Sequence, residues 1–406
     1  MVGGCVRDLL SRKKGKDWDI VTDAEPEQIQ EIFNNFKTLL IGKSFQTVTL
    51  IINSKVYHIS SLHKEKKQKI IIQHDVRQEE RIPLLLQDLL NRDFTINSLA
   101  WNPQKGLLDP AKGIKDLKQR IIRSREPNLR FQEDPLRMLR AIRIACELNF
   151  AIDKKTKYSI CNNAFLLHQV SSERIREEIS SILKSSEAQR GIELLRYCGL
   201  ERHILSKDGV KKELLGNSSS EKISFYGLNE FKEDLSTLLA LWGRLYFGSC
   251  HRTRIFFLPL ISSLRFKNII LKKLKILLSK EWTSLDFGTT QNIRFLMAKV
   301  GRENCKTMFR LKKTLLSTEG DSNRLNKRAL ALEERLVQDE LEKNPPVSLT
   351  DLAVKGKDLI KIGLPPGKRM GEILQLLLNK VLVSPENNYK DYLLSIAAKI
   401  KDKDPE

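Results

Sequence analysis

The pattern of this chain changes once, near residue 125, and does not change back. Before that point strand and helix signals alternate. Glu27 to Phe36 carries Ile29, Ile32 and Phe33 at helical spacing. Thr38–Ile41, Thr47–Ile52 and Val56–Leu62 are closely spaced β-rich runs of the kind that pair antiparallel. Beyond it Leu, Ile, Lys and Glu dominate, Gly and Pro are sparse, and the spacing is helical. This division predicts an α+β fold: an N-terminal mixed β-sheet with helices, followed by an all-helical remainder. Lys64–Lys69 reads as a charged, mobile loop, Gly216–Ser220 and Thr318–Asn323 as loops, and Asn344-Pro345-Pro346 as the break before a C-terminal tail.

At 406 residues, with 41% hydrophobic side chains, the chain has material for more than one domain. Its 71 Lys and Arg against 50 Asp and Glu leave a formal charge of +21, which points to a polyanionic partner, RNA or DNA before membrane. The plainer alternative is a set of solvated Lys faces. Six scattered cysteines lack paired spacing, arguing against a disulfide framework or zinc site and for a reducing cytoplasm. No N-terminal apolar segment precedes a cleavage site and no apolar run would span a bilayer, so no membrane attachment is expected.

Four short motifs carry chemistry. Gly3-Gly4 precedes a helix-like stretch from Val6 to Leu10. Two glycines let backbone approach a phosphate, and Arg7 can add charge-assisted hydrogen bonds. Asp17 and Asp19 flank Trp18 in an extended segment. On a strand both carboxylates point to one side, as hard ligands for Mg²⁺ beside a triphosphate, with room for a two-metal arrangement. Taken alone, each of these is more often a turn or a solvated strand face; their close succession favours the phosphate reading. Arg92-Asp93 precedes the run Phe94 to Leu99. Arg92 can bind triphosphate or ribose, and Asp93 and Asn97 can orient it or hold the turn; the competing reading is a helix N-cap by Asp93.

The sharpest motif is Glu133-Asp134-Pro135-Leu136-Arg137-Met138-Leu139-Arg140-Ala141-Ile142-Arg143, which reads as one helix with Asp134, Arg137, Arg140 and Arg143 at i+3 spacing. The ordinary reading is a helix salt bridge. The stronger one is a reader of base edges. Cytosine and adenine offer an amino donor beside a ring-nitrogen acceptor, which match a carboxylate and a guanidinium; uracil and guanine present the opposite polarity. Arg140 and Arg143 would then serve phosphates or nearby carboxylates. Ser172-Glu173-Arg174-Ile175-Arg176-Glu177-Glu178 opens another helix, able to cap itself and tie to the Arg-rich one. His74-Asp75 lacks companion ligands, and Trp242, Tyr246, Phe256 and Phe257 read as core.

In this order, the motifs resemble those of the class II tRNA nucleotidyltransferase and bacterial poly(A) polymerase family over about residues 3 to 180. The resemblance implies a nucleotidyltransferase palm over 1–123, a neck with a nucleotide-selecting helix over 124–180, a helical body over 181–340 and a tRNA-binding helical tail over 341–406. It implies Gly4 and Arg7 at the triphosphate and Asp17 and Asp19 as catalytic Mg²⁺ ligands. Arg92, Asp93 and Asn97 fall at the nucleotide, and Asp134 and Arg137 act as a protein template with Arg140 and Arg143 beside them. Asp109-Pro110 through Gly113 with Asp116 resembles the family's hinge motif, and Glu173-Arg174 with Glu177 its supporting helix. CTP and ATP are the implied substrates and tRNA the implied partner. The stretch from Asp351 to Leu359, followed by Gly363-Leu364-Pro365-Pro366-Gly367 and Gly371-Glu372-Ile373-Leu374, is similar to the tail of the family's CCA-adding members.

Three departures stand out. Only Met1-Val2 precede Gly3-Gly4, where the family carries a longer strand, so a shortened start is expected. The family's Arg-Arg-Asp is Asn91-Arg92-Asp93, and His58 and His63 stand near places where it carries an acid and an Arg. These bear on activity and not on fold. Addition of CC only, of A only or of poly(A) remains open at this point, as does a catalytically weak RNA-binding protein of the same fold.

Overall fold

The computed structural model describes residues 1–13, 18–41, 47–53, 55–62, 78–205, 228–247, 253–279, 287–318 and 324–403. Asp17, His63, Lys64–Lys69, His74-Asp75 and Gly216–Ser220 lie outside them, as do residues 319–323. The chain forms two compact units, Met1–Gly209 and Val210–Glu406.

In the first unit α1 (Gly4–Leu10) leads to β1 (Trp18–Thr22), and α2 (Pro26–Ile32) leads to β2 (Lys37–Ile41), β3 (Thr47–Ile52) and β4 (Lys55–Ser61). The sheet order is β1-β4-β3-β2. The β2–β3 and β3–β4 pairs are antiparallel, as their close spacing predicts. By contrast β1 and β4 pair in parallel, with Asp19 opposite His58, so the sheet is mixed. A parallel pair needs a crossover connection, and α2 with the β2–β3 hairpin supplies it. Ile29, Val48, Leu50 and Ile59 form the core beneath.

The helix expected to reach Phe36 stops at Ile32, which is 69% exposed. Asn34-Asn35 compete for backbone hydrogen bonds and favour a turn, which delivers the chain to β2. After α3 (Gln78–Asn91) come a single 3₁₀ turn, Thr95–Asn97, and the hairpin of β5 (Ala100–Asn102) and β6 (Gly106–Leu108). Val2 sits between sheet and hairpin: its N–H donates to Asp19 O at 2.9 Å and it bridges Ala100.

From α4 (Gly113–Gln119) onward helices dominate. The short β7 (Ile121–Ile122) precedes α5 (Pro127–Glu133) and α6 (Leu136–Leu148), and pairs with β8 (Ala151–Ile152). Then come α7 (Lys154–Asn163), α8 (Ser172–Lys184), α9 (Ala188–Tyr197) and α10 (Leu200–Leu205). On α6, Met138, Leu139, Ala141, Ile142 and Ala145 are fully buried. On α8, Ile175, Ile179 and Ile182 are fully buried at i, i+4 and i+7. These apolar stripes meet, which fixes α6 against α8 and α9 and leaves Arg137, Arg140 and Arg143 off the buried stripe.

The second unit is helical: α11 (Leu235–Phe247), α12 (Leu258–Ser263), α13 (Asn268–Leu277), α14 (Thr290–Val300), α15 (Arg302–Thr318), α16 (Arg324–Glu342), α17 (Gly356–Lys361), α18 (Lys368–Val383) and α19 (Lys390–Lys403). Trp242 and Phe257 are fully buried and meet edge to face at 5.4 Å, in its core. Asn344-Pro345-Pro346 separates α16 from α17, and α15 runs through Thr318, where the sequence predicts loop. Among the described residues no helix is long and apolar enough to cross a membrane.

Candidate active site

A cavity of about 390 Å³ opens in the first unit, within the range of roughly 300–1,000 Å³ usual for small-ligand sites. Its wall is made by Gly4 and Arg7 of α1, Asp19 of β1, Arg92, Asp93 and Asn97 beside the 3₁₀ turn, Asp134 before α6, and Arg137, Arg140, Arg143 and Ile144 of α6. The fold thus draws residues from all four motifs to one surface. Five arginines against three aspartates give the wall a positive balance suited to a polyanion. Of the two carboxylates expected to hold metal, Asp19 is on the wall and Asp17 lies outside the described residues.

One end of the cavity is built on backbone. Gly3 has φ 76°, a conformation that side-chain-bearing residues rarely adopt, and a Cβ there would strike the Arg92 guanidinium. Glycine therefore lets Arg92 lie against the start of α1, where Asp88 holds it through Nη2 at 3.1 Å. A chain of side-chain hydrogen bonds begins beside it. Arg7 Nη1 donates to Asn97 Oδ1 at 2.7 Å, Asn97 Nδ2 to Asp93 Oδ1 at 2.9 Å, and Arg140 Nε to Asp93 Oδ2 at 2.9 Å. Asp93 also accepts from the Phe94 N–H at 2.8 Å, and the N-cap of the 3₁₀ turn is Phe94. Burial by itself would raise the Asp93 carboxyl; Arg140, Asn97 and the Phe94 N–H outweigh it and hold the group below the ordinary aspartate range.

The other end corrects a sequence expectation. Glu133 to Arg143 is not one helix: α5 ends at Glu133, Asp134 is extended at φ −146° and ψ 98°, and α6 begins at Leu136. The ring of Pro135 crowds the residue before it out of the α region. Asp134 consequently stands at the start of α6, where its Oδ1 accepts from Leu136 N at 3.2 Å and the helix dipole favours a negative charge.

Among the described residues Asp134 and Arg137 do not pair with each other. Arg174 of α8 holds Asp134 at 2.8 Å, and Glu133 holds Arg137 at 3.1 Å. Glu178 and Glu147 hold Arg143 at 2.7 and 2.9 Å.

The other expected supporting residues lie behind the wall. Asp109 accepts from the N–H groups of Gly113 and Ile114 at 2.6 and 3.0 Å, capping α4. Gly113 packs so closely on the Thr95 carbonyl that no Cβ fits. Asp116 accepts from Thr95 Oγ1 at 2.7 Å and pairs with Arg123 at 3.1 Å. Glu173 lies in the first turn of α8. Glu177 is 72% exposed and pairs with Arg176, not with α6. The N-cap of α8 is Ser171, without a side-chain cap bond, so Ser172 does not cap it as expected.

Sequence reasoning missed Glu178, Asp88 and Glu133 as holders of arginines, and Ile144 on the wall. Spacing could have found three of them, since Asp88 is i−4 from Arg92, Glu133 is i−4 from Arg137 and Ile144 is i+7 from it; Glu178 holds Arg143 across 35 residues, which no local spacing shows. On β4, next to Asp19, His58 Nδ1 lies 3.0 Å from Thr49 Oγ1.

Comparison with known proteins matches three stretches to family profiles. Residues 1–123 match the poly A polymerase head domain, 149–207 the probable RNA and SrmB-binding site of polymerase A, and 262–397 tRNA nucleotidyltransferase domain 2. The chain is 28% identical to the CCA-adding enzyme of Lactobacillus delbrueckii subsp. bulgaricus over 401 residues, 95% of this chain and 90% of that one. It is 28% identical to the CCA-adding enzyme of Bacillus subtilis over 400 residues, 97% and 91% of the two chains. Its structure resembles the crystal structure of the Bacillus stearothermophilus CCA-adding enzyme in complex with CTP, with TM-score 0.74, 26% identity and coverage of 99% and 94%.

Proposed function

Because the chain belongs to the family of class II tRNA nucleotidyltransferases and bacterial poly(A) polymerases, on the side of its CCA-adding members, we propose that it adds C and A nucleotides to the 3′ end of tRNA without a nucleic-acid template, releasing pyrophosphate. The observation that carries this reading is the single cavity wall that joins Arg7 and Asp19 to Asp134 and Arg137.

The triphosphate of CTP or ATP lies toward Gly4, Arg7 and Arg92, and the base toward Asp134 and Arg137. Arg7 and Arg92 already have carboxylate partners in Asp8 and Asp88, so they are oriented before a phosphate competes for them. Asp134 accepts from the exocyclic amino group and Arg137 donates to the ring nitrogen; U and G offer the wrong polarity to both. Arg140 and Arg143, occupied by Asp93 and Glu178, hold the wall and steer phosphate by charge.

Asp19 has the hard oxygen chemistry for Mg²⁺, with Asp17 expected beside it. An ion held there would supply charge neutralisation for the attacking 3′-hydroxyl and the leaving pyrophosphate. The division into palm, neck, body and tail at 123, 180 and 340 belongs to this proposal. So does tRNA binding driven by the net charge of +21, which makes affinity fall with salt.

The test is extension of tRNA lacking its 3′ end, in Mg²⁺, with each nucleotide alone and together. CTP alone should extend to CC, and CTP with ATP to CCA, while UTP and GTP stay unused. Homopolymeric A would instead identify a poly(A) polymerase, single-nucleotide specificity a partial adder, and no extension a protein that keeps the fold without the activity.

A further inference from the structure

Arg137 reaches the cavity from α6, and a guanidinium selects a hydrogen-bond acceptor only if something fixes its direction. Its carboxylate partner is Glu133 Oε2 at 3.1 Å. Glu133 is 40% exposed and on the last turn of α5, so by itself it would be a loose anchor. It is not left to itself. Arg130 Nη1 donates to both of its carboxylate oxygens, at 2.9 and 2.8 Å. Arg130 Nη2 donates to Asn91 Oδ1 at 3.0 Å, at the end of α3 and next to Arg92. Only 11% of the Arg130 side chain is exposed.

We propose that Arg130 is a positioning residue for base selection: clamped between Asn91 and Glu133, it sets the direction of the Arg137 guanidinium. The proposal rests on the reading of Arg137 as a base reader. The clamp runs from the residue beside Arg92, at the phosphate end of the cavity, to the residue that faces the base. A planar fork suits the task. One nitrogen engages the Glu133 carboxylate while the other reaches the Asn91 amide and lies 3.6 Å from Glu126 Oε2 on the exposed side, and a lysine ammonium cannot hold these directions at once. Asn91 is a suitable third member because it is neutral; a cation in its place would repel Arg130.

The experiment compares wild type with Arg130→Ala, Arg130→Lys and Asn91→Ala, each also in an Arg137→Ala background. The readouts are kcat/KM for CTP against UTP on tRNA lacking its 3′ end, and for ATP against GTP on tRNA ending in CC. Arg130→Ala should lower both ratios by roughly three- to tenfold, the range of a bidentate but partly exposed ion pair. Inhibition by pyrophosphate should not change. Arg130→Lys should fall between, and Asn91→Ala should shift the ratios the same way by about twofold. In the Arg137→Ala background none of the three should lower the ratios further, because the clamp acts through Arg137.

An equal loss for all four nucleotides, or a further loss of selectivity once Arg137 is gone, overturns the clamp. So does unchanged selectivity in a folded Arg130→Ala protein; if that variant does not fold, the Lys and Asn91 variants decide by the same criteria. A wild-type protein with no preference among the four nucleotides would overturn the functional reading, and the clamp with it.

Discussion

The two ends of the cavity are built on opposite principles. At the end proposed for phosphate the parts are a seven-residue helix, a strand whose residues are all half-buried and a three-residue turn. Glycine conformation and backbone approach shape that end, over the buried side chains of Cys5, Val6 and the turn itself. At the end proposed for the base α6 runs for thirteen residues with eight of them buried, backed by α8. Asp134, Arg137, Arg140 and Arg143 each take a partner from beyond α6. The difference reflects the tasks. Every nucleotide carries the same triphosphate, so that end needs charge and access. Telling C and A from U and G needs donors and acceptors held in fixed directions, which requires a packed helix behind them.

The comparison breaks most readily at the carboxylates proposed to hold metal, Asp17 and Asp19. Asp19→Ala, and Asp17→Ala with it, should abolish addition while tRNA binding persists. Loss of several kcal/mol of transition-state stabilisation corresponds to roughly a thousandfold or more in kcat, by about 1.4 kcal/mol per factor of ten. Near-normal turnover of either variant in Mg²⁺ would move the chemistry away from this end.

Next in size is base choice. The Asp134→Ala, Arg137→Ala double variant should lose roughly ten- to hundredfold in selection against U or G per contact, at about 1–3 kcal/mol for a hydrogen bond to a charged group. Affinity for triphosphate should hold. Because Asp134 and Arg137 take separate partners, each single variant takes a partner from one charge, Arg174 or Glu133, and the double variant from both, so the double should lose the most. If the double variant still prefers C on tRNA lacking its 3′ end and A on tRNA ending in CC, the base is read elsewhere.

A smaller effect tests the junction between the ends. The Asp93 carboxyl is held below its ordinary range in the folded state, so its ionised form contributes stability above the unfolded value, about 3.9. That contribution is lost as pH falls from there through the depressed folded value. Asp93→Asn should be less stable than wild type at neutral pH, by about 1–3 kcal/mol for an Arg140 left without its carboxylate. The gap should close on acidification. Melting temperatures of both proteins across that window would show it, and a gap of constant size would contradict it.

The smallest contrast separates neighbours on α8. Glu178→Gln should disturb selectivity several-fold by loosening Arg143, whereas Glu177→Gln should stay within about twofold, as for an exposed surface pair. Equal effects from the two would mean that α8 does not support the wall through Glu178.

Much of this was legible in the sequence because it is local. The close spacing of Val48, Leu50 and Ile59 in successive β-rich runs pointed to the antiparallel pairing observed, and the four motifs contained residues that the fold brings to one cavity wall. Pro135 was visible too, yet the i+3 spacing of Asp134, Arg137, Arg140 and Arg143 suggested one helix; the steric rule for the residue before proline prevails over periodicity, because a clash forbids what spacing only suggests.

The sequence by itself determined which groups are present: the aspartates, the arginines, the two glycines and the apolar stripes that make α6 and α8 fold onto each other. Only the tertiary structure decided which charge answers which. Asp93 holds its own turn with one oxygen and answers Arg140, forty-seven residues away, with the other, Asp134 answers Arg174 and not Arg137, and Arg143 takes Glu178 over its neighbour Glu177. Nothing in the chemistry of one carboxylate distinguishes it from the next. What distinguishes them is the direction in which a packed backbone points them, and a direction exists only once the helices have met.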